Sequence, residues 1–130
     1  MKRLFVFFFA FAFLMITFSF EPAMTASSAA REQAAVSFPE TVKLLNVLLR
    51  GDYVIVHDEE MMAKGEPCTY VYRSDSGQPG QLVVAFHCVH VEREKVERFT
   101  VRYSPRRGAF DLPELKELQF AGSTAAHQVP

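Results

Sequence analysis

The chain has none of the short patterns that announce common enzyme chemistries. No serine sits in G-x-S-x-G, which excludes the exposed nucleophile of an α/β-hydrolase. No H-E-x-x-H places two histidines on one helical turn, and no glycine-rich loop follows an apolar run to cradle a phosphate. Dithiol redox catalysis is unsupported, because there is no C-x-x-C pair. Tryptophan is absent, and no segment repeats. An excess of either charge is missing too. Fourteen Lys and Arg stand against 15 Asp and Glu, for a net charge of −1, with the two signs interspersed. That balance argues against a nucleic-acid or anionic-membrane surface, and the mild cluster of Arg102, Arg106 and Arg107 reads as a solvated loop. Cysteine is scarce: Cys68 and Cys88 are the only two.

Phenylalanine is abundant, and eight of its 13 occurrences fall in the uncharged run Leu4 to Phe20, just after Met1-Lys2-Arg3. A positive start, an apolar run and the small-residue stretch Glu21 to Ala30 make residues 1–30 a signal peptide, cut at Ser28-x-Ala30 or a neighbouring small pair. The alternative is an uncleaved anchor over residues 4–20, short for a spanning helix of about 20 residues. Membrane contact is expected only through that segment. Either address is exported, periplasmic or extracellular, where thiols meet oxidants. Residues 31–36 then read as a linker, 37–122 as a single domain and 123–130 as a tail without core pattern.

Ser37-Phe38-Pro39-Glu40 resembles a capped helix start, and Val42, Leu45, Leu48 and Leu49 follow at helical spacing, which predicts an amphipathic helix ended by Gly51-Asp52. Tyr53 to His57 is a strand candidate, and Asp58 to Pro67 a turn of helix or a loop. Beyond Cys68 the apolar residues alternate. The turn formers between CTYVYR and LVVAFHCVHV predict an antiparallel hairpin with Tyr72 opposite Val84 and Cys68 opposite Cys88. A second hairpin would bring ERFTVRY back against the same strand. The inner face would then carry Tyr70, Tyr72, Leu82, Val84, Phe86, Cys88, Phe99, Val101 and Tyr103, and the outer face Thr69, Arg73, His87, Thr100 and Arg102. The last element is open: Asp111-Leu112-Pro113-Glu114 resembles another capped helix start, while Leu118 to Phe120 suggests a strand, which is the reading preferred. The expected class is α+β: one N-terminal amphipathic helix packed on a small antiparallel β-sheet, a meander of about four to five strands.

Cross-strand neighbours have Cβ atoms about 4.5 to 5.5 Å apart, near the reach of a disulfide. The first reading of Cys68 and Cys88 is therefore a bridge contributing roughly 3 kcal/mol to a small exported domain. The alternative is a copper or zinc site. Cys88 and His90 lie two apart on one strand, Cys68 is beside them, and a fourth ligand could come from His57, Met61, Met62 or His127. No methionine follows Cys88 and His90 at the spacing of a blue-copper loop. A bridge would remove two of those ligands, so the two readings exclude each other in any one molecule. An enzyme using histidines would need a pocket joining His57, His90 and His127.

The string His57 through Gly65-Glu66-Pro67-Cys68, then Phe86-His87-Cys88, then Ala121-Gly122 and Ala126-His127-Gln128-Val129-Pro130, resembles small exported bacterial proteins of uncharacterised function. The resemblance implies an exported domain and no activity. Taken together, the sequence points to a non-catalytic exported domain without a cofactor, held by Cys68 and Cys88, that binds an unknown envelope protein or ligand; the alternative is a small copper- or zinc-binding protein.

Overall fold

Alternation, rather than helical periodicity, governs the chain from its first described residue. The computed structural model describes residues 31–130, and the signal reading of residues 1–30 lies outside them. Strand β1 (Arg31–Leu44) turns Glu32, Ala34, Val36, Phe38, Val42 and Leu44 inward, while Arg31, Gln33, Ala35, Ser37 and Lys43 face water. Residues 31–36, expected as a linker, are thus the first part of a strand. Strand β2 (Val47–Asp58) returns antiparallel to β1 through a tight turn in which Leu45 takes a φ of 53°.

The helix expected after Ser37 is therefore absent, and the α+β class is corrected to an all-β fold of two antiparallel sheets. Among the described residues the only helix is the five-residue α1 (Glu59–Ala63), capped by Asp58, whose Oδ1 accepts from the amides of Glu60 and Met61. The physical reason lies in the same residues. A hairpin buries Val42, Leu44, Leu49 and Tyr53 and leaves Leu48 outside, 60% exposed. The apparent helix cap is a bulge between Phe38 and Val42. Pro39 is tolerated there because β1 is an edge strand, where a missing amide donor breaks no ladder bond.

Strands β3 (Thr69–Asp75) and β4 (Gln78–Phe86) form the expected hairpin around Ser76-Gly77, with φ of 50° and 83° as a type I′ turn requires. Its register is not the expected one. Val71 pairs with Val84 and Tyr70 with Ala85, so Thr69 and Val71 point into the core at 0% exposure. Tyr70 and Tyr72 stack on the other face, ring centroids 6.3 Å apart. There the Tyr70 hydroxyl donates to the Pro67 carbonyl at 2.6 Å. Turning both phenols inward would have required buried partners for two hydroxyls.

The first sheet has the order β1-β2-β3-β4. At His87-Cys88 the chain leaves it. The second sheet contains β5 (Val89–Glu92), β6 (Thr100–Tyr103), β7 (Leu115–Gln119) and β8 (Ala125–Gln128), in the order β5-β8-β7-β6. LVVAFHCVHV is thus split between sheets, and TVRY pairs with β7 rather than with β4, which corrects the second hairpin. The last strand expected near Leu118 is present as β7. The 123–130 segment is corrected from a loose tail: β8 is an interior strand, with Ala126 and His127 fully buried. Phe38, Leu44, Leu49, Tyr53, Ile55, Val71 and Phe86 of the first sheet share one core with Leu115, Leu118, Phe120 and Val129. A backbone bond from Lys43 N to Pro113 O, 2.9 Å, ties the sheets at their edge. No helix among the described residues is long and apolar enough to cross a membrane.

One buried carboxylate lies outside the core. Glu117, its side chain 6% exposed, accepts from Arg93 Nε and Nη2 at 3.0 and 2.8 Å and from Arg102 Nη1 at 2.8 Å. The Arg93 hydrogen bonds hold its pKa below the usual carboxylate value, against the opposing effect of burial. A lowered folded-state pKa stabilises the fold above the unfolded value and is lost as pH falls through the folded one. Both arginines are well exposed, so the contribution is set below that of a fully buried pair. Glu117→Gln is expected to cost about 2 kcal/mol at neutral pH and to flatten the loss of stability below about pH 4.5, as read by urea denaturation across pH.

Candidate metal centre

Four chain segments bring sulfur and imidazole together at one end of the two sheets. His57 is the last core-facing residue of β2, paired with Thr69 at the start of β3 and with Glu32 near the start of β1. Cys68 immediately precedes β3. Cys88 is in the crossover from β4 to β5, and His127 is inside β8. The crossover is what brings the sheets' ends to one point: a chain that changes sheets at residues 87–88 must pass over the gap between them.

The result is a group of three metal-capable side chains, His57, Cys88 and His127, whose ligand atoms all lie within 4.8 Å of one another. Cys88 Sγ is 3.6 Å from His127 Nδ1 and 3.8 Å from His57 Nδ1. Zn–N bonds of about 2.0–2.1 Å and Zn–S bonds of about 2.3 Å at a tetrahedral angle give an N···S edge of roughly 3.6 Å. The two distances match that edge. The rings are 3.8 Å apart between centroids, and Phe120 lies beside both at 6.5 and 6.0 Å.

Both imidazoles are fully buried, and their Nε2 atoms have no hydrogen-bond partner. The nearest charged group to His127 Nε2 is Glu32 Oε2 at 3.7 Å, beyond hydrogen-bond length but placed as a carboxylate behind a ligating imidazole would be. Burial, aided by His57 and His90, lowers the His127 pKa to about 4. Burial lowers that of His57 too, against the pull of Glu59 and Asp58. Burial, followed by the contact with Cys68, pushes the Cys88 thiol up to about 12. Without a cation, then, the centre is neutral: two imidazoles and a thiol. That is unsuited to a thiolate nucleophile, whereas a bound cation would itself draw the proton from the sulfur.

Cys68 and Cys88, expected as a bridge, stand unbridged in this structure. Their sulfurs nevertheless touch, Cys68 Sγ to Cys88 Sγ 2.9 Å, and the Cys88 amide donates to Cys68 Sγ at 3.3 Å. Two thiolates on one tetrahedral zinc stand about 3.8 Å apart, so Cys68 is too close to Cys88 to be a ready fourth ligand. His90, expected as a ligand, lies outside this three-residue group: it is exposed, binds Glu92 Oε1 at 3.2 Å, and its ring is 6.1 Å from that of His127. The three-histidine pocket is reduced accordingly to His57 and His127. Met61 and Met62 lie half-buried on α1. Thr69 is corrected from the outer face to the core, its Oγ1 3.5 Å from His57 Nδ1. Thr69 and Glu32 were not legible as site residues: Glu32 fell in a supposed linker, and Thr69 on a face whose register was one residue out.

No family model matches the chain, and no curated protein or solved structure matches it.

Proposed function

We propose that this chain is a small exported metal-binding domain that holds copper or zinc between His57, Cys88 and His127. The observation that carries the reading is the convergence of three soft or borderline donor atoms from β2, the crossover and β8, the two imidazoles buried and the Cys88 sulfur at tetrahedral-edge distance from a nitrogen of each. Burying two imidazoles face to face without full hydrogen-bond partners costs stability, and a cost retained in a core is the mark of a site. Three protein ligands leave a fourth coordination position for water or a second molecule. Cys88, half-buried, is the one member of the group that is not fully enclosed.

The test is a zinc titration of the reduced protein against a chromophoric chelator. One zinc per chain, lost in Cys88→Ala and kept in His90→Ala, is the expected result; absence of binding, or binding that survives Cys88→Ala, contradicts the proposal.

A second reading rests on the sulfur contact of 2.9 Å. In it the pair closes to a disulfide that fixes an exported interaction domain. The metal reading is preferred because a bridge alone gives His57 and His127 no reason to be buried together.

A further inference from the structure

The same sulfur carries both readings, and the geometry around it suggests how they are connected. Cys88 is the sulfur of the three-residue group, and it also touches Cys68. The spacing of the cysteines is shorter than two ligands of one ion would adopt and longer than a bond, so Cys68 is positioned to react with Cys88 rather than to share its metal. Accessibility orders the two. Cys88 is half-buried and Cys68 is 1% exposed, so an oxidant reaches Cys88 first and Cys68 can act only from behind. The hydrogen bond from the Cys88 amide keeps Cys68 Sγ in place.

We propose that Cys68 is a resolving thiol, and that oxidation of Cys88 by a small-molecule or protein disulfide expels the metal from the site. The inference rests on the metal reading above. In the first step the Cys88 sulfur, held as a thiolate because the bound cation has already drawn off its proton, attacks one sulfur of the oxidant. A mixed disulfide forms, the oxidant's S–S bond breaks, and its other half leaves as a thiolate that takes up a proton. Cys88 no longer offers a thiolate, and the metal has lost its only sulfur ligand. In the second step Cys68, giving its proton to solvent, attacks Cys88 Sγ, and the remaining half of the oxidant departs as a second thiol. From the loaded state the two sulfurs have lost two electrons and Cys68 one proton; the oxidant has gained the two electrons and two protons, one of these drawn from solvent, and the metal leaves as the ion it entered as. A site of this kind loads metal under reduction and delivers it under oxidation, which suits an exported address.

The experiment uses the zinc-loaded, reduced protein in a glutathione buffer containing glutathione disulfide, with a fluorescent zinc indicator and intact mass as readouts. The wild type is expected to release one zinc per chain as two thiols disappear, to retain no glutathione, and to rebind zinc after reduction with a phosphine. Cys68→Ser and Cys68→Ala are expected to bind zinc within about threefold of wild type. In the same buffer they should keep at least tenfold more of it, and at excess disulfide carry one glutathione on Cys88. Circular dichroism of both variants checks their fold. Zinc that stays on the wild type overturns the proposal and leaves the metal reading intact, as does loss of zinc affinity in folded Cys68 variants, which would make Cys68 a ligand. A reduced wild type that binds no zinc removes the metal reading and this inference with it.

Discussion

Replacing His127 by leucine is expected to make the protein without metal more stable, by about 1–2 kcal/mol, while abolishing its metal affinity. The usual expectation for a fully buried residue is the opposite. It fails here because the imidazole is a poor core residue. Its Nε2 has no partner, its Nδ1 meets only sulfur at 3.6 Å, and a second imidazole faces it at 3.8 Å. Leucine is of similar volume, has no polar atom to satisfy, and would pack against Phe120 and the His57 ring. The opposed signs distinguish a site from a structural histidine, since a histidine kept for packing would lose stability on substitution. Chemical denaturation in the presence of a chelator, alongside a zinc titration, reads both quantities.

The second large effect is stabilisation by the ion itself. A ligand that binds only the folded state at 100 times its dissociation constant adds about 2.7 kcal/mol. For a domain of this size each kcal/mol moves the midpoint by about 4–8 °C, so zinc should raise the melting temperature of the reduced protein by on the order of 10–20 °C. A chelator should reverse the shift. Cys88→Ala should remove nearly all of it, because Cys88 is the one sulfur within ligand distance of both rings. His90→Ala should leave it in place, since His90 is turned to Glu92. Scanning calorimetry of the three proteins with and without zinc checks this.

How much of this the sequence held differs between site and fold. The three donor residues of the centre are legible in the sequence, His57 and His127 as supplementary ligands and Cys88 as a principal one, whereas Glu32 and Thr69 beside them are not. What could not be read was their grouping. His90 has the sequence spacing of a partner to Cys88, but the strand that would have placed them on one face breaks at residues 87–88, and nothing in Phe86-His87-Cys88-Val89 marks the break by glycine or proline. Ala125-Ala126-His127 carries no bulky apolar pattern and so reads as a tail, yet β8 is an interior strand where small residues let neighbouring strands and rings approach. The helix expected after Ser37 fails for a related reason. Val42, Leu45, Leu48 and Leu49 fit a 3.6-residue period, while a hairpin with a bulge at residues 39–41 and a turn at 45–46 produces the same spacing from a period of two. Local propensity left the two open, and burial of Leu44, missed by the helical pattern, decides for the strand. The β3–β4 hairpin was recoverable because Ser76-Gly77 has turn chemistry; its register was not, since β-bulges shift it by a residue.

The most direct test of the centre is X-ray absorption at the zinc edge on the reduced protein carrying one equivalent of zinc. The account predicts a single sulfur at about 2.3 Å and two imidazole nitrogens at about 2.0–2.1 Å, with a light-atom fourth ligand. A shell of oxygen donors without sulfur, or imidazole signals that persist in the His57→Leu/His127→Leu double variant, would contradict it.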